Sequence, residues 1–433
     1  TSSYAFKGKA VAAQEIGRVL DVGALVGGTV RRAGDRLRVT TQLVSAADGK
    51  VLWDSVYESG AGDVFAVQDE FTRAIVAALA PALGGRGGGA AVADAERGTT
   101  DQEAYDLYLK GRYYWLARGR ANVIRSIAYY RQAVARDPRF ARAHAGLAMA
   151  YEVLSVWSPD PTDSATALVE ASAQRAFALD STLADAQLAL GLALERQMRS
   201  RDAQARYRAA LALEPSNVFG HHVLGASLLA VGHTDEALAE LRRATQLDPL
   251  AKSAGSLFAH ALFTARRFPE AEAASRRVLA LDSTYLLSIS ALGLVQAFGG
   301  QPDSAVRTLE RGTRWHPDNL RLRPALLFVY AAAGRWADAE RVRAQLRRPG
   351  GDLSGGTDAA FAELVFGDRE PLVRLLMTGE GQRRWYNSTT GFGCNPFLDP
   401  LWADARFRAA MRALAVEACP LARPWPLPPR PGS

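Results

Sequence analysis

The residues of this chain best suited to chemistry are few: six histidines, two cysteines and one glycine-rich run. His221 and His222 are adjacent and His260 follows, all in stretches of helical periodicity. Two imidazoles grip a metal only if they converge, and neighbours on a helix point about 100° apart. A surface or groove position suits them better. Cys394 and Cys419 belong to no Cys-x-x-Cys pair and have no histidine cluster beside them, which argues against zinc. They flank one short helical stretch, so a disulfide clip and two unrelated buried thiols both fit. Gly84–Thr100 (GGRGGGAAVADAERGTT) invites comparison with a phosphate loop, but no Gly-Lys-Ser/Thr follows and no strand feeds it. Its composition is that of a linker. There is no His-Glu-x-x-His, no Gly-x-Ser-x-Gly, no kinase His-Arg-Asp or Asp-Phe-Gly and no EF-hand loop. Asn387-Ser388-Thr389 matches a glycosylation acceptor, which has meaning only in a host that glycosylates. The sequence thus offers no catalytic residues, no metal ligands and no cofactor site. Its chemistry is that of recognition.

The elements that would position a recognition surface follow from bulk and period. At 433 residues the chain exceeds one ordinary domain, and its 48% hydrophobic and 22% charged content is that of globular protein. The net charge of +7 rests on arginine, for the lysines are only Lys7, Lys9, Lys50, Lys110 and Lys252. Arginines alternate with carboxylates, as in Glu272/Arg276 and Glu236/Glu240/Arg243, which is the pattern of a solvated helix face and argues against a nucleic-acid partner. The longest apolar stretches, Ala74–Leu83 and Ala325–Ala333, are about half of what a membrane helix needs. The opening TSSYAFKGKA lacks the apolar core of a signal peptide, so a fragment or processed product is expected. Both a tethered extracytoplasmic place and a cytoplasmic one stay open.

Internal repetition is the strongest signal. Asp180-Ser181, Glu214-Pro215, Asp248-Pro249, Asp282-Ser283 and His316-Pro317 recur every 34 residues. Gly191, Gly225, Ala259 and Gly293 keep the same step, as do Ala203, Ala237, Ala271, Ala305 and Ala339. Two antiparallel helices of about 12–14 residues with short turns fill such a period. Small residues mark where their axes approach, and proline ends the second helix. One pair cannot bury its apolar stripe alone, but a stack can.

LALGLALERQMRSRDAQARYRAALALEPSN (Leu188–Asn217) and HVLGASLLAVGHTDEALAELRRATQLDP (His222–Pro249) closely resemble tetratricopeptide (TPR) repeats. The resemblance covers about Glu103–Leu346, roughly six repeats. It is irregular at an enlarged turn over Ala117–Asn122, at an insertion over Ser155–Ser164, and in the last unit, where Leu327 and Arg343 replace a small and an apolar residue. The family holds peptides on the inner face of its first helices. Carried over, that face has Tyr105, Tyr108, Arg112 and Trp115, then Arg142, Met149 and Glu152, then Leu192 and Glu195. Phe219, His222, His260, Phe263 and Phe298 continue it. About half of these side chains are expected to pack against neighbouring helices instead. The basic clamp that chaperone-binding relatives use is replaced by Tyr108, Ala145, Leu188 and Met149, so the resemblance implies a partner other than a chaperone tail.

Residues 1–83 have another rhythm. A helical stretch (Ala10–Leu20) precedes β-rich runs Ala24–Arg32, Arg36–Ser45 and Val51–Glu58, and Val64–Leu83 reads as an amphipathic helix. The segments AAQEIGRVLDVGALVGGTVRRAGDRLRVTTQLVSAADGKVLWDSVYES and DVFAVQDEFTRAIVAAL resemble the C-terminal part of the TolB-like domain of bacterial signalling proteins. The opening strand and helix of that domain have no counterpart here, which would leave a sheet edge open to association. The resemblance implies a place behind a kinase, cyclase or transcriptional module.

The expected architecture is therefore mainly α: a TPR α-solenoid preceded by a small α/β domain. Its parts are a partial TolB-like domain (1–83), a linker (84–100), the repeats (101–347), a helical capping region (348–420) and a proline-rich tail (421–433) read as a frayed end. The expected function is a non-enzymatic scaffold binding a protein or peptide in its groove, as the sensory or assembly part of a larger signalling protein. A subunit-organising module of a tethered assembly and the regulatory region of an upstream kinase or cyclase are the alternatives.

Overall fold

The computed structural model describes residues 6, 9, 11–34, 36–60, 98–117, 119–155, 163–317, 319–347, 356–386, 394–414, 416, 419, 425 and 427–430. The expected helix over Val64–Leu83, most of the linker, the core of the Ser155–Ser164 insertion and the Asn387 sequon lie outside the described residues. Two compact units emerge, one of residues 1–154 with 175–180, the other of residues 155–174 with 181–433. No described helix is long and apolar enough to cross a membrane.

In the first unit, helix α1 (Ala13–Leu20) precedes strands β1 (Ala24–Ala33), β2 (Arg36–Ser45) and β3 (Val51–Gly60). They form an antiparallel sheet in the order β1-β2-β3, with Val30 opposite Val39 and Val39 opposite Tyr57. Alternation puts Leu43 and Tyr57 on one face with Val26 and Val30 of edge strand β1, and on that face the first two are buried and the two valines exposed. Helices α2 (Gln102–Ala117), α3 (Arg120–Arg136) and α4 (Ala141–Ser155) follow. The turn expected over Ala117–Asn122 is shorter than its sequence suggests. The extra residues lengthen the two helices instead, and Gly119 takes a φ of 85° between them.

Beyond α5 (Asp163–Leu179), the second unit is a run of helix pairs: α6 (Ala184–Arg196) with α7 (Ser200–Leu213), α8 (Val218–Ala230) with α9 (Thr234–Leu247), α10 (Lys252–Thr264) with α11 (Phe268–Leu281). Then come α12 (Leu286–Phe298) with α13 (Pro302–Trp315) and α14 (Arg323–Ala332) with α15 (Trp336–Leu346). A shorter pair, α16 (Thr357–Val365) and α17 (Glu370–Leu376), and helices α18 (Gly379–Tyr386) and α19 (Ala405–Ala413) complete the described part. First helices of successive pairs touch one another, α8 with α10, α10 with α12, α12 with α14 and α14 with α16. That side is the inner face.

Size matching sets the approach within each pair. A Cβ on Gly191 would lie 2.3 Å from the Tyr207 ring, and one on Gly225 or Gly293 would lie 2.6 Å from Leu241 or Leu309. The last repeat solves the mismatch differently. Leu327 is fully buried, and Arg343 swings away to donate to Glu363 of α16 at 2.5 Å and to lie 4.4 Å over the Phe366 ring. An arginine thus replaces an apolar contact without leaving a charge unpaired.

One residue in the turn of each pair takes a positive φ: Met198, Gly232, Arg266, Gly300 and Gly334, each 34 residues from the last. Glycine suits this left-handed geometry, and a side chain there costs roughly 1–2 kcal/mol. Met198 and Arg266 depart from the pattern.

Candidate binding surface

The inner-face residues expected from sequence divide by burial. In the first unit Tyr105, Tyr108, Trp115 and Met149 are buried, Arg112 is exposed, and Arg142 and Glu152 are half-buried. Tyr108 is drawn inward because Gly111 and Gly146 leave room for the Tyr130 ring, which lies 5.9 Å away, with Phe140 at 5.1 Å. These aromatics form the core between helices.

In the second unit Leu192 is buried, and half-buried Glu195 accepts a hydrogen bond from Ser200 Oγ at 3.1 Å, tying α6 to the start of α7. The two adjacent histidines part, as helical geometry demands. His221 has its Nε2 3.0 Å from the Pro215 carbonyl and its Nδ1 2.6 Å from Glu240, so it fastens the preceding loop and α9. His144 and Gln187 reach the carbonyls of Pro138 and Ser181 from the same place in their units. His222 is half-buried and stacks on Phe219, with ring centres 6.3 Å apart. His260 lies edge-on to Phe263 at 5.9 Å, and burial pushes its imidazole down to about 4, so it is neutral at ordinary pH. Among the described residues no group of three His, Cys, Asp or Glu could hold a metal ion.

From α10 onward the inner face becomes an aromatic wall. Phe263 of α10 meets Phe298 of α12 at 5.2 Å, and Phe298 stacks on Phe328 of α14 at 5.1 Å. The wall is covered by the chain itself. Phe397, in a short 3-10 helix (Pro396–Leu401), lies 6.0, 5.7, 5.0 and 5.0 Å from Phe263, Phe298, Phe328 and Phe361. Two residues on, the buried Asp399 carboxylate accepts from Arg266 Nη2, and Arg266 Nη1 donates to the Cys394 carbonyl at 2.7 Å. Both charged side chains are almost wholly removed from water, at 6% and 2% exposure.

The same segment runs along the line of positive-φ turns. Met198 packs against the cluster of Leu398, Leu401, Phe407 and Met411, and Cys394 Sγ sits 4.0 Å from the Gly232 carbonyl. A disulfide joins Cys394 to Cys419 across a separation of 25 residues. The described part of the tail is not frayed. Trp425 donates from Nε1 to the Pro396 carbonyl at 3.1 Å and meets Phe328 at 5.3 Å, and Arg430 lies 5.0 Å over Phe366.

Sequence reasoning missed Phe361, Phe397, Asp399, Trp425 and Arg266. Phe361 sits on a first helix, in phase with the wall. Arg266 carried a signal too, since it falls midway between Gly232 and Gly300 in a slot glycine should fill. Asp399 meets Arg266 across 133 residues, and Phe397 gathers rings from four separate helices as far back as Phe263, with no local pattern.

No protein-family model matches the chain. "Putative adenylate cyclase 3" of Rhizobium meliloti (strain 1021) is 33% identical over 205 residues, covering 47% of this chain and 34% of that protein. The chain therefore spans about a third of the curated relative's length. Among solved structures it is similar to YrrB, described as a TPR protein with an unusual peptide-binding site (21% identity, TM-score 0.32, 44% of this chain and 94% of that one). It is also similar to pilF of Pseudomonas aeruginosa (19%, TM-score 0.39, 49% and 93%). A tetratricopeptide repeat protein from Parabacteroides merdae ATCC 43184 gives 12% identity and a TM-score of 0.38 over 73% of this chain and all of that one.

Proposed function

We propose that this chain is a non-enzymatic, tetratricopeptide-type scaffold that holds a protein or peptide segment on the inner face of its first helices. One observation carries the reading: the face of α10 to α16 accepts a short segment of chain, Asn395–Leu401, through one aromatic anchor, Phe397, and one buried carboxylate. That is how repeat arrays use such faces. The neighbouring stretch, with Phe219 and His222 on α8 and Glu195 on α6, carries half-buried groups of the same kind.

The likeness to a cyclase-named protein supports a place within a larger bacterial signalling protein, with this region as its sensory or regulatory part. The Cys394–Cys419 disulfide supports an oxidising, extracytoplasmic setting for it. The outer position of β1 in the strand order, with Val26 and Val30 exposed on it, supports association through the N-terminal sheet edge.

A peptide-display selection against the immobilised chain tests the scaffold reading. Enriched sequences should share a motif and lose about tenfold or more in affinity against Phe219→Ala or His222→Ala. No enrichment, or binding indifferent to both substitutions, refutes it.

A further inference from the structure

We infer that Asn395–Leu401 is a built-in ligand, and that the wall it covers takes from a partner a peptide carrying an aromatic residue followed two positions later by a carboxylate. The inference rests on the scaffold reading and names the ligand chemistry.

The segment is built like a peptide ligand. Pro396 and Pro400 bracket it, restricting its backbone before it docks. Asn395 caps it by accepting from the Phe397 N–H at 3.1 Å. Its side chains divide between two surfaces. Leu398 and Leu401 face the apolar cluster of the C-terminal helices, with Leu372, Phe407 and Met411. Phe397 and Asp399 face the repeats. Only the second pair reads the inner face, one as an apolar anchor and one as a charge.

The receiving side has paid a conformational cost for this contact. Arg266 occupies a left-handed turn where the repeats before and after use Gly232 and Gly300. The strain is tolerated where the guanidinium spans a carboxylate and the Cys394 carbonyl, a charge-assisted grip on both a side chain and a backbone. A residue serving only repeat packing would be glycine. Met198, the other side chain in such a turn, touches the same C-terminal cluster. The repeats thus hold dedicated receptors for this segment, and the Cys394–Cys419 bond tethers it beside them. A tethered segment competes with any outside peptide at high effective concentration. A partner gains the wall only when the segment's hold on it is loosened.

The test uses the full chain. Phe397→Ala with Asp399→Asn weakens the internal segment, and the probe is a fluorescein-labelled peptide of sequence SNPFLDPLW, residues 394–402 with serine in place of cysteine. Fluorescence anisotropy should show binding at least about tenfold tighter to the variant than to the parent. Adding Arg266→Met should abolish that gain, and a peptide with asparagine for the aspartate should bind about tenfold more weakly. A variant of native helicity that ignores the peptide overturns the inference, as does equal binding to parent and variant. If the variant does not fold, hydrogen exchange on the parent decides. Amides of 395–401 should open faster than those of α8 to α11, and faster still after a dithiol reduces the disulfide. Exchange only at the global unfolding rate would mark the segment as core. Because the probe is the chain's own sequence, it can bind although display selection finds no outside motif, so the two readings fail separately.

Discussion

Replacing Arg266 by glycine sets two terms of opposite sign against each other. Its φ of 59° lies where glycine is free of strain, so the substitution relieves roughly 1–2 kcal/mol. The same substitution strips Asp399 of its partner while leaving it 2% exposed, and stranding one member of a buried ion pair costs about 3–5 kcal/mol. The hydrogen bond to the Cys394 carbonyl is lost as well. The balance is a net loss of roughly 2–3 kcal/mol, allowing for water reaching the vacated space. Urea unfolding followed by circular dichroism measures it, and the midpoint should fall clearly. Arg266→Gly with Asp399→Leu should recover most of the loss, since the backbone relief remains and no buried charge is stranded. If Arg266→Gly alone equals or exceeds the parent in stability, the pair contributes less than the strain, and the receptor role of this turn is wrong.

Three further outcomes are expected. The folded imidazole of His260 titrates near 4, whereas in an unfolded chain it takes a proton near 6.5, so the unfolded state binds more protons between those values and stability is lost as pH falls through that window. His260→Leu should reduce the loss between pH 7 and pH 4.5 by about 2–3 kcal/mol, measured as urea midpoints at both values; parallel pH profiles would exclude the burial argument. Cys394→Ser with Cys419→Ser opens a 25-residue loop and should cost about 3.5 kcal/mol by the chain-entropy estimate, read in a thermal melt; an unchanged melt would mean the C-terminal cluster holds without it. Gly191→Ala places a Cβ against the Tyr207 ring and should destabilise by about 1–3 kcal/mol, whereas Gly191→Ala with Tyr207→Leu should be milder, and equal losses would refute the size-matching account.

Legibility followed the range of the interactions. The 34-residue step located the helix pairs because turns, proline stops and small contact residues are local and repeat. The strands showed in alternation for the same reason, and β2 begins at Arg36 and ends at Ser45 as its pattern suggests. Burial at the inner face was harder to read, because spacing gives a side chain's direction but not what fills the space it points into. Phe263 points inward as expected, yet is 1% exposed once Phe397 arrives. His221 and His222 show the finer limit: neighbours in sequence, one fastens a loop and the other joins Phe219. The docking of Phe397, Asp399 and Trp425 depends on a chain reversal that no window of sequence encodes.

The two turns bearing side chains also act as addresses on an otherwise uniform lattice. Repeat arrays tolerate gain or loss of a unit because each unit sees only its neighbours. Here Met198 and Arg266 stand two units apart, and both answer to one stretch near the C-terminus. Excising the unit between them would leave every helix-to-helix interface plausible and Arg266 still facing Asp399, and yet shift Met198 one step out of phase with the C-terminal cluster. The length of this stretch is thereby counted by its own terminus, as a key counts the wards of its lock.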